Sequence, residues 1–338
     1  MIRLDLRELS ARGRRLAVLC FVFVIIGGTG IGIGTARVYS RANSTEAVEL
    51  LPAFSTLHFE RLADPARTLA RDDRGRVVAI MTDGARTVVL AGRLRTFVEP
   101  ETTAAIVASN ARVLLLPRSW SAGGEGDTWF STWYLAARET SVDLLEAATQ
   151  YLTGADSDFD ARGIEYRGDA HYPGVSATGE RVPGDFNDYL GVAWTFSDGA
   201  TRQAPPTRSR ALSSAGLVRL VFGYRGGMPL SGHVRDPSGM APTVDELFYG
   251  AGATIAPVTG AAVSDLGRLQ PGDLLFFDTD PDATLDQVAI YLGVDQRSEH
   301  RFIMSRREAD GPTMGDTGGR SVVDRGRFAS ALRAVKRI

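Results

Sequence analysis

Cysteine is nearly missing from this 338-residue chain, and Cys20 is the only one. A single thiol builds no disulfide framework and no cysteine-based zinc site. Lysine is as scarce: Lys336 stands alone among basic residues that are otherwise arginine. The four histidines, His58, His171, His233 and His300, are too scattered in sequence to suggest a metal cluster, so neither metal nor cofactor is expected. Charge of one sign is not in excess either. The net charge of −2 implies no strong pull toward nucleic acid or an anionic membrane surface. The length suffices for two domains plus an anchor.

What the chain does have is an uncharged run. From Leu16 to Ala36, 21 positions carry no charge, about the length a helix needs to cross roughly 30 Å of hydrocarbon. Arg3, Arg7, Arg12, Arg14 and Arg15 precede it, against Asp5 and Glu8. The positive-inside tendency then predicts a cytoplasmic tail at 1–15 and a transmembrane anchor at 16–37. The rest would be an exported domain of a single-pass cell-membrane protein. A cleaved signal peptide with its apolar stretch at Leu16–Ile26 is the competing reading.

Residues 38–64, with Asn43, Ser44, Thr45 and Pro52, read as a stalk. Short β-like runs follow. Val77–Met81 and Thr87–Ala91 flank Asp83-Gly84, a hairpin signal, and Thr103–Ala108 and Val113–Leu116 flank a turn expected at Asn110. Residues 65–140 are thus expected as a small β-rich module, either SH3-like or a plain spacer. At Ser141 a capping-type residue precedes Leu144, Leu145, Ala148 and Leu152, an apolar helical stripe that Gly154 ends.

Four segments of the C-terminal half form a pattern. Leu212–Gly223 is a Ser/Ala/Gly turn feeding an apolar helix, so a turn side chain sits at a helix N-terminus, where a negative atom is favoured. Leu269–Phe277 is a Pro-Gly turn opening a buried strand. Leu285–Gly293 and His300–Ser305 read as neighbouring strands.

In this order the segments resemble the NlpC/P60 family, papain-like peptidases that cut the stem peptides of bacterial peptidoglycan. The family nucleophile motif D-C-S-G-L-V falls on Ser213–Val218, where Ser213, Ser214 and Ala215 replace its Asp, Cys and Ser, and L-x-P-G-D-L-[LV]-F-F is matched at every defined position by Leu269–Phe277. D-H-V-[GA]-I-Y-[LI]-G is met by Asp286–Gly293, and an F-I-H-A-like strand by Phe302–Ser305. The likeness covers about 141–338. Tyr224-Arg225 and Gly311–Asp316 resemble a membrane-anchored actinobacterial branch. The resemblance implies an α+β, papain-like domain at 141–338, a helix packed on a small antiparallel sheet, behind the β-rich module and the anchor.

The departures fall on the chemistry. By the resemblance, Ser214 holds the cysteine position, Gln287 the base histidine and Met304 the third polar position. Ser213 and Ala215 flank the nucleophile position, and Asp286 lines the implied cleft. A thiol becomes a thiolate beside an imidazole and a helix terminus, whereas a serine hydroxyl needs a strong positioned base. Gln287 takes no proton and Met304 orients no imidazole. Each residue also has a plainer role: Ser214 as helix N-cap, Gln287 as a hydrogen-bonded remnant or a strand-surface residue, His300 as a solvated loop residue, Asp273 and Asp286 as turn residues. Asp278, Asp280 and Asp282 have the spacing of a calcium loop without its glycine and distal glutamate. The expectation is therefore a catalytically inactive protein that binds peptidoglycan stem peptides or a cell-envelope protein. The rivals are a hydrolase using Ser214 with His300 or His233 as base, and a purely structural envelope protein.

Overall fold

The computed structural model describes residues 24–27, 30–33, 51–99, 105–139, 143–174, 184–232, 239–250, 252–280 and 282–338. Among them the chain is β-rich. The N-terminal strands β1 (Val24–Gly27) and β2 (Gly30–Ile33) pair antiparallel, with Val24 opposite Ile33. Next comes a five-stranded antiparallel meander, β3 (His58–Ala63), β4 (Ala66–Arg71), β5 (Val77–Thr82), β6 (Thr87–Val98) and β7 (Ile106–Leu115). Helices α1 (Thr128–Glu139) and α2 (Leu144–Thr149) follow, then the short pair β8 (Asp158–Phe159) and β9 (Glu165–Arg167). Helix α3 (Phe186–Leu190), the pair β10 (Trp194–Thr195) and β11 (Thr201–Arg202), and helix α4 (Ser214–Val218) lead into a π-helical turn at Arg219–Arg225. After α5 (Val244–Tyr249) come β12 (Ala253–Ala256), β13 (Leu274–Phe277), β14 (Gln287–Val294), β15 (His300–Arg306), β16 (Gly311–Thr313), α6 (Gly326–Ala331) and β17 (Leu332–Arg337). These last strands form one six-stranded sheet in the order β12-β17-β13-β14-β15-β16.

Two expectations are corrected here. The expected α+β fold, a papain-like helix on a small antiparallel sheet behind a transmembrane helix, is not what forms. The described chain is dominated by two large antiparallel sheets, and its six α-helices are short, the longest being the 12 residues of α1. Among the described residues no helix is long and apolar enough to cross a membrane. Within the run expected as the anchor, Val24–Gly27 and Gly30–Ile33 form a strand pair instead, and the remainder lies outside the described residues. The physical reason is legible in Val24–Ile33: β-branched residues and glycines are poor helix formers, and the former favour strands. The single-pass anchor and the cell-membrane localisation built on it are not carried further.

Other boundaries move as well. The end of the stretch expected as a stalk is β3, paired along its length with β4. Asp83-Gly84 does lie between β5 and β6, with Gly84 at φ 79°, where glycine is unstrained. No turn forms at Asn110, which is interior to β7; the irregularity falls on the partner strand, between Ala91 and Arg95. The helix expected from Ser141 starts later because Asp143 caps it, accepting from the N–H groups of Leu145 and Glu146.

The meander is covered on both faces, which explains its near-continuous apolar strands. Ala70, Ala79, Met81, Val88 and Leu90 pack under Trp120, Phe130 and Tyr134. Leu69, Ile80 and Val89 alternate onto the other face and join a core with Leu217, Val218, Ile290 and Ile303. A third cluster fills the far side of the six-stranded sheet, from Leu275, Phe277, Tyr291, Phe302, Met304 and Phe328. The halves are also tied by polar contacts. Glu99 accepts from Thr313 Oγ1 (2.8 Å) and the Met314 N–H (2.7 Å). Arg337 is bidentate to Asp273 at 2.7 and 2.9 Å and donates to Thr82 Oγ1 at 2.7 Å.

Burial pushes the Asp273 carboxyl above its ordinary value, while Arg337 and the Gln270 N–H act against this. Removing one partner leaves the other as a buried, uncompensated charge. Asp273→Ala is therefore expected to destabilise the protein by about 3–5 kcal/mol, read from the denaturant midpoint at constant m-value. A loss under about 1 kcal/mol would mean the pair is not a structural anchor.

Candidate functional site

The N-terminus of α4 is built by glycine and serine. Ser213 is the N-cap: its Oγ accepts from the Gly216 N–H (3.0 Å) and donates to the Gly184 carbonyl (2.8 Å). Gly216 lets the helix approach that segment, since a Cβ there would stand 2.1 Å from the Gly184 carbonyl oxygen. Arg219, fully buried one turn on, donates to Asp185 Oδ1 (2.8 Å) and the Ser231 carbonyl (3.0 Å) and faces the rings of Phe186 and Phe196. Burial lowers its pKa, and Asp185 opposes that shift. The junction is held from three sides.

Ser214 is thus the first helical residue rather than the cap, and is 4% exposed. Its Oγ accepts from the Val288 backbone N–H at 3.4 Å, at the start of β14. Ala215 is buried in the core beside it. Gln287 is partly exposed, and its Oε1 is sealed without a hydrogen-bond partner. Asp286 faces the preceding loop, where it accepts from Thr279 Oγ1 (2.7 Å) and the Thr279 N–H (3.1 Å).

The structure brings Ser214 to the first residues of β14 but does not assemble the three positions. Ala215, Leu217 and Val218 share a cluster with Val288, Ile290 and Ile303. Met304, fully buried, alternates to the other face with Phe277 and Tyr291. Gln287 is opposite Phe277 in register, so alternation gives it that other face too. The β15 residue that reaches the helix junction is Ser305, whose Oγ donates to the Leu212 carbonyl at 2.5 Å.

His300 does not serve Ser214. His300 pairs with Val294, six residues along β14 from Val288, a separation of about 20 Å. It is a strand residue, not a solvated loop: its Nδ1 lies 2.8 Å from Asp324 Oδ1 and its ring stacks on Tyr291. His233 lies outside the described residues. The structure brings up a histidine that sequence reasoning passed over. The His171 carbonyl accepts from the Leu212 N–H at 2.9 Å, but its side chain is exposed and makes no hydrogen bond to Ser214. No local signal marks it, because the tie is between backbone groups 41 residues apart (212 − 171).

Asp278, Asp280 and Asp282 offer carboxylate oxygens within 4.8 Å of one another, the latter two exposed. Asp282 is held below its ordinary value by hydrogen bonds from the Thr284 side chain and backbone. That local bonding is the work of a loop turn.

No family model matches the chain, and no curated protein does. Among solved structures, an NlpC/P60 family protein from Bacillus cereus ATCC 10987 is similar at 12% identity and a TM-score of 0.25, over 83% of this chain and 78% of that one. A likeness that faint carries no inference about fold or chemistry.

Two outcomes test the geometry. Gly216→Ala must push α4 off the Gly184 segment, so a loss of about 1–3 kcal/mol is expected in denaturant unfolding. The second is a pH effect. Burial pushes Asp324 up, but the hydrogen bonds from the His300 ring and backbone outweigh it and leave the carboxyl below its usual 3.8. A depressed carboxylate contributes stability that is complete above the unfolded value and lost as pH falls through the folded one. Between about pH 5 and about pH 3 the wild-type urea midpoint should fall more steeply than that of Asp324→Asn. Parallel profiles would show that the pair does not stabilise the sheet end.

Proposed function

We propose that the protein binds peptidoglycan stem peptides, without hydrolysing them, at the surface where α4 meets the start of β14. The observation that carries the non-hydrolytic reading is the surroundings of Ser214. Its hydroxyl is almost fully buried, meets a backbone N–H at 3.4 Å, and has no imidazole or amine within hydrogen-bond reach among the described residues. A serine becomes a nucleophile only beside a base that takes its proton. The ligand class follows from the motif likeness at Ser213–Val218, Leu269–Phe277 and Asp286–Gly293. It is supported by Gln287, the partly exposed first residue of β14, next to the Val288 that meets Ser214.

The full chain incubated with purified muropeptides should release no cleavage product by chromatography, and Ser214→Ala should be indistinguishable from wild type. Turnover that disappears in Ser214→Ala would replace this reading with a serine hydrolase. Titration followed by NMR should show weak, saturable muropeptide binding that Gln287→Leu reduces several-fold without altering the fold. Silence at millimolar ligand from a folded protein would exclude the peptide and leave an envelope protein as the partner to seek.

A further inference from the structure

Arg67 stands near the start of β4, on the face that turns Leu69 toward the C-terminal half, and is 2% exposed. Its Nε and Nη1 are sealed, and neither has a hydrogen-bond partner. No carboxylate forms an ion pair with it among the described residues. Register places it opposite Thr82 of β5. Thr82 Oγ1 takes a hydrogen bond from Arg337 Nη1, and Arg337 Nη2 donates to the Arg268 carbonyl at 3.1 Å. Three guanidinium groups therefore gather where the meander meets the six-stranded sheet. Burial, and then repulsion from Arg337 and Arg268, depress the Arg67 pKa, while Asp64 acts the other way.

Two carboxylates serve these three cations. Asp273 is used fully by Arg337 and the Gln270 N–H. Asp64 pairs with Arg268 at the rim, where the two side chains are 78% and 28% exposed. Arg268 Nε is itself sealed and unpartnered. One positive charge is left over, and the unused groups at the seam are guanidinium donors: Arg67 Nε, Arg67 Nη1 and Arg268 Nε. None of the sealed, unpartnered acceptors lies at Asp64, Arg67, Thr82, Arg268, Asp273 or Arg337. A buried charge without a partner is strongly unfavourable, and the forked, planar donors of arginine match an oxyanion.

We propose that this seam binds a small inorganic oxyanion of the phosphate class, bridging Arg67 and Arg268 and displacing Asp64 from Arg268. The anion neutralises the surplus charge and joins a strand of the N-terminal sheet to the turn that carries the Leu269–Asp273 motif. Asp64 is then a built-in competitor, a carboxylate already seated on the outer arginine.

The test uses the full chain and inorganic phosphate, with sodium chloride at matched ionic strength as the reference. Wild type should show a rise in melting temperature of a few degrees that saturates in the millimolar range, as mass action on a folded-state site requires. Asp64→Asn should reach half-saturation at several-fold lower phosphate. Arg67→Met should lose the saturable rise while being no less stable than wild type in chloride, since it removes a buried unpaired charge. The proposal is overturned if wild type shows only the chloride response, or if Arg67→Met keeps the full phosphate response. Should Arg67→Met fail to fold, calorimetric titration of phosphate into wild type and Asp64→Asn decides the matter. Equal affinities, or no heat from either, overturn the site, and tighter binding by Asp64→Asn upholds it.

Discussion

The contact on which the architecture hangs is the forked hydrogen bond between Arg337 and Asp273. It fixes the last strand, β17, to the turn that opens β13, and through Thr82 it fixes both to the meander. Because β17 lies between β12 and β13, its position sets the register of the whole six-stranded sheet. The sheet in turn holds β14 against α4, so the Ser214–Val288 contact depends on an ion pair at the ends of the inner strands β17 and β13 beside it.

Arg337 is one of several buried arginines used as structural clamps. Arg301 holds Asp295 and the Met314 carbonyl, and Arg306 reaches the carbonyls of Thr317 and Gly319 while facing the Phe328 ring. Burial pushes the Arg306 pKa down to about 10, still high enough to keep it charged at neutral pH. The planar fork of guanidinium holds such carbonyl sets in a fixed geometry, and the one lysine, Lys336, likewise donates to the Phe248 and Gly250 carbonyls. The near-absence of lysine is thus matched by an interior that uses the shape of guanidinium, and Arg67 is a buried arginine whose sealed Nε and Nη1 have no partner among the described residues.

How much of this was legible beforehand depends on the kind of signal. The strands at Leu274–Phe277 and Gln287–Val294 could be read because apolar runs bounded by Pro-Gly and Gly leave few alternatives. The replaced catalytic positions could be named from motif spacing, but not their separation in space. A motif fixes an order along the chain, whereas the face on which Met304 points is fixed by strand alternation against Ile303. Helix α1 was missed because Trp129, Phe130, Trp133 and Tyr134 look β-prone, while their buried members, Phe130, Tyr134 and Ala137, recur at helical spacing. The N-terminal run misled through length: an uncharged stretch long enough to span a bilayer is rich in glycine and β-branched residues, and its described part forms strands. His171 and Arg67 were invisible because their significance arises only from segments brought together by the fold.

The placement of β17 has a consequence for how the chain acquires its shape. Strands β12 and β13 are made some 60 to 80 residues before the strand that separates them in the sheet (332 − 274 and 332 − 253). Until it arrives, the entirely apolar Leu274–Phe277 segment offers one open edge. An unpaired apolar edge is a template for the wrong neighbour. During synthesis the helix-bearing middle of the protein and the β13–β15 strands must wait, half-assembled, for a partner strand that emerges after them. Such long-range closure makes for slow folding, and for a period in which the nascent sheet is exposed to misassembly.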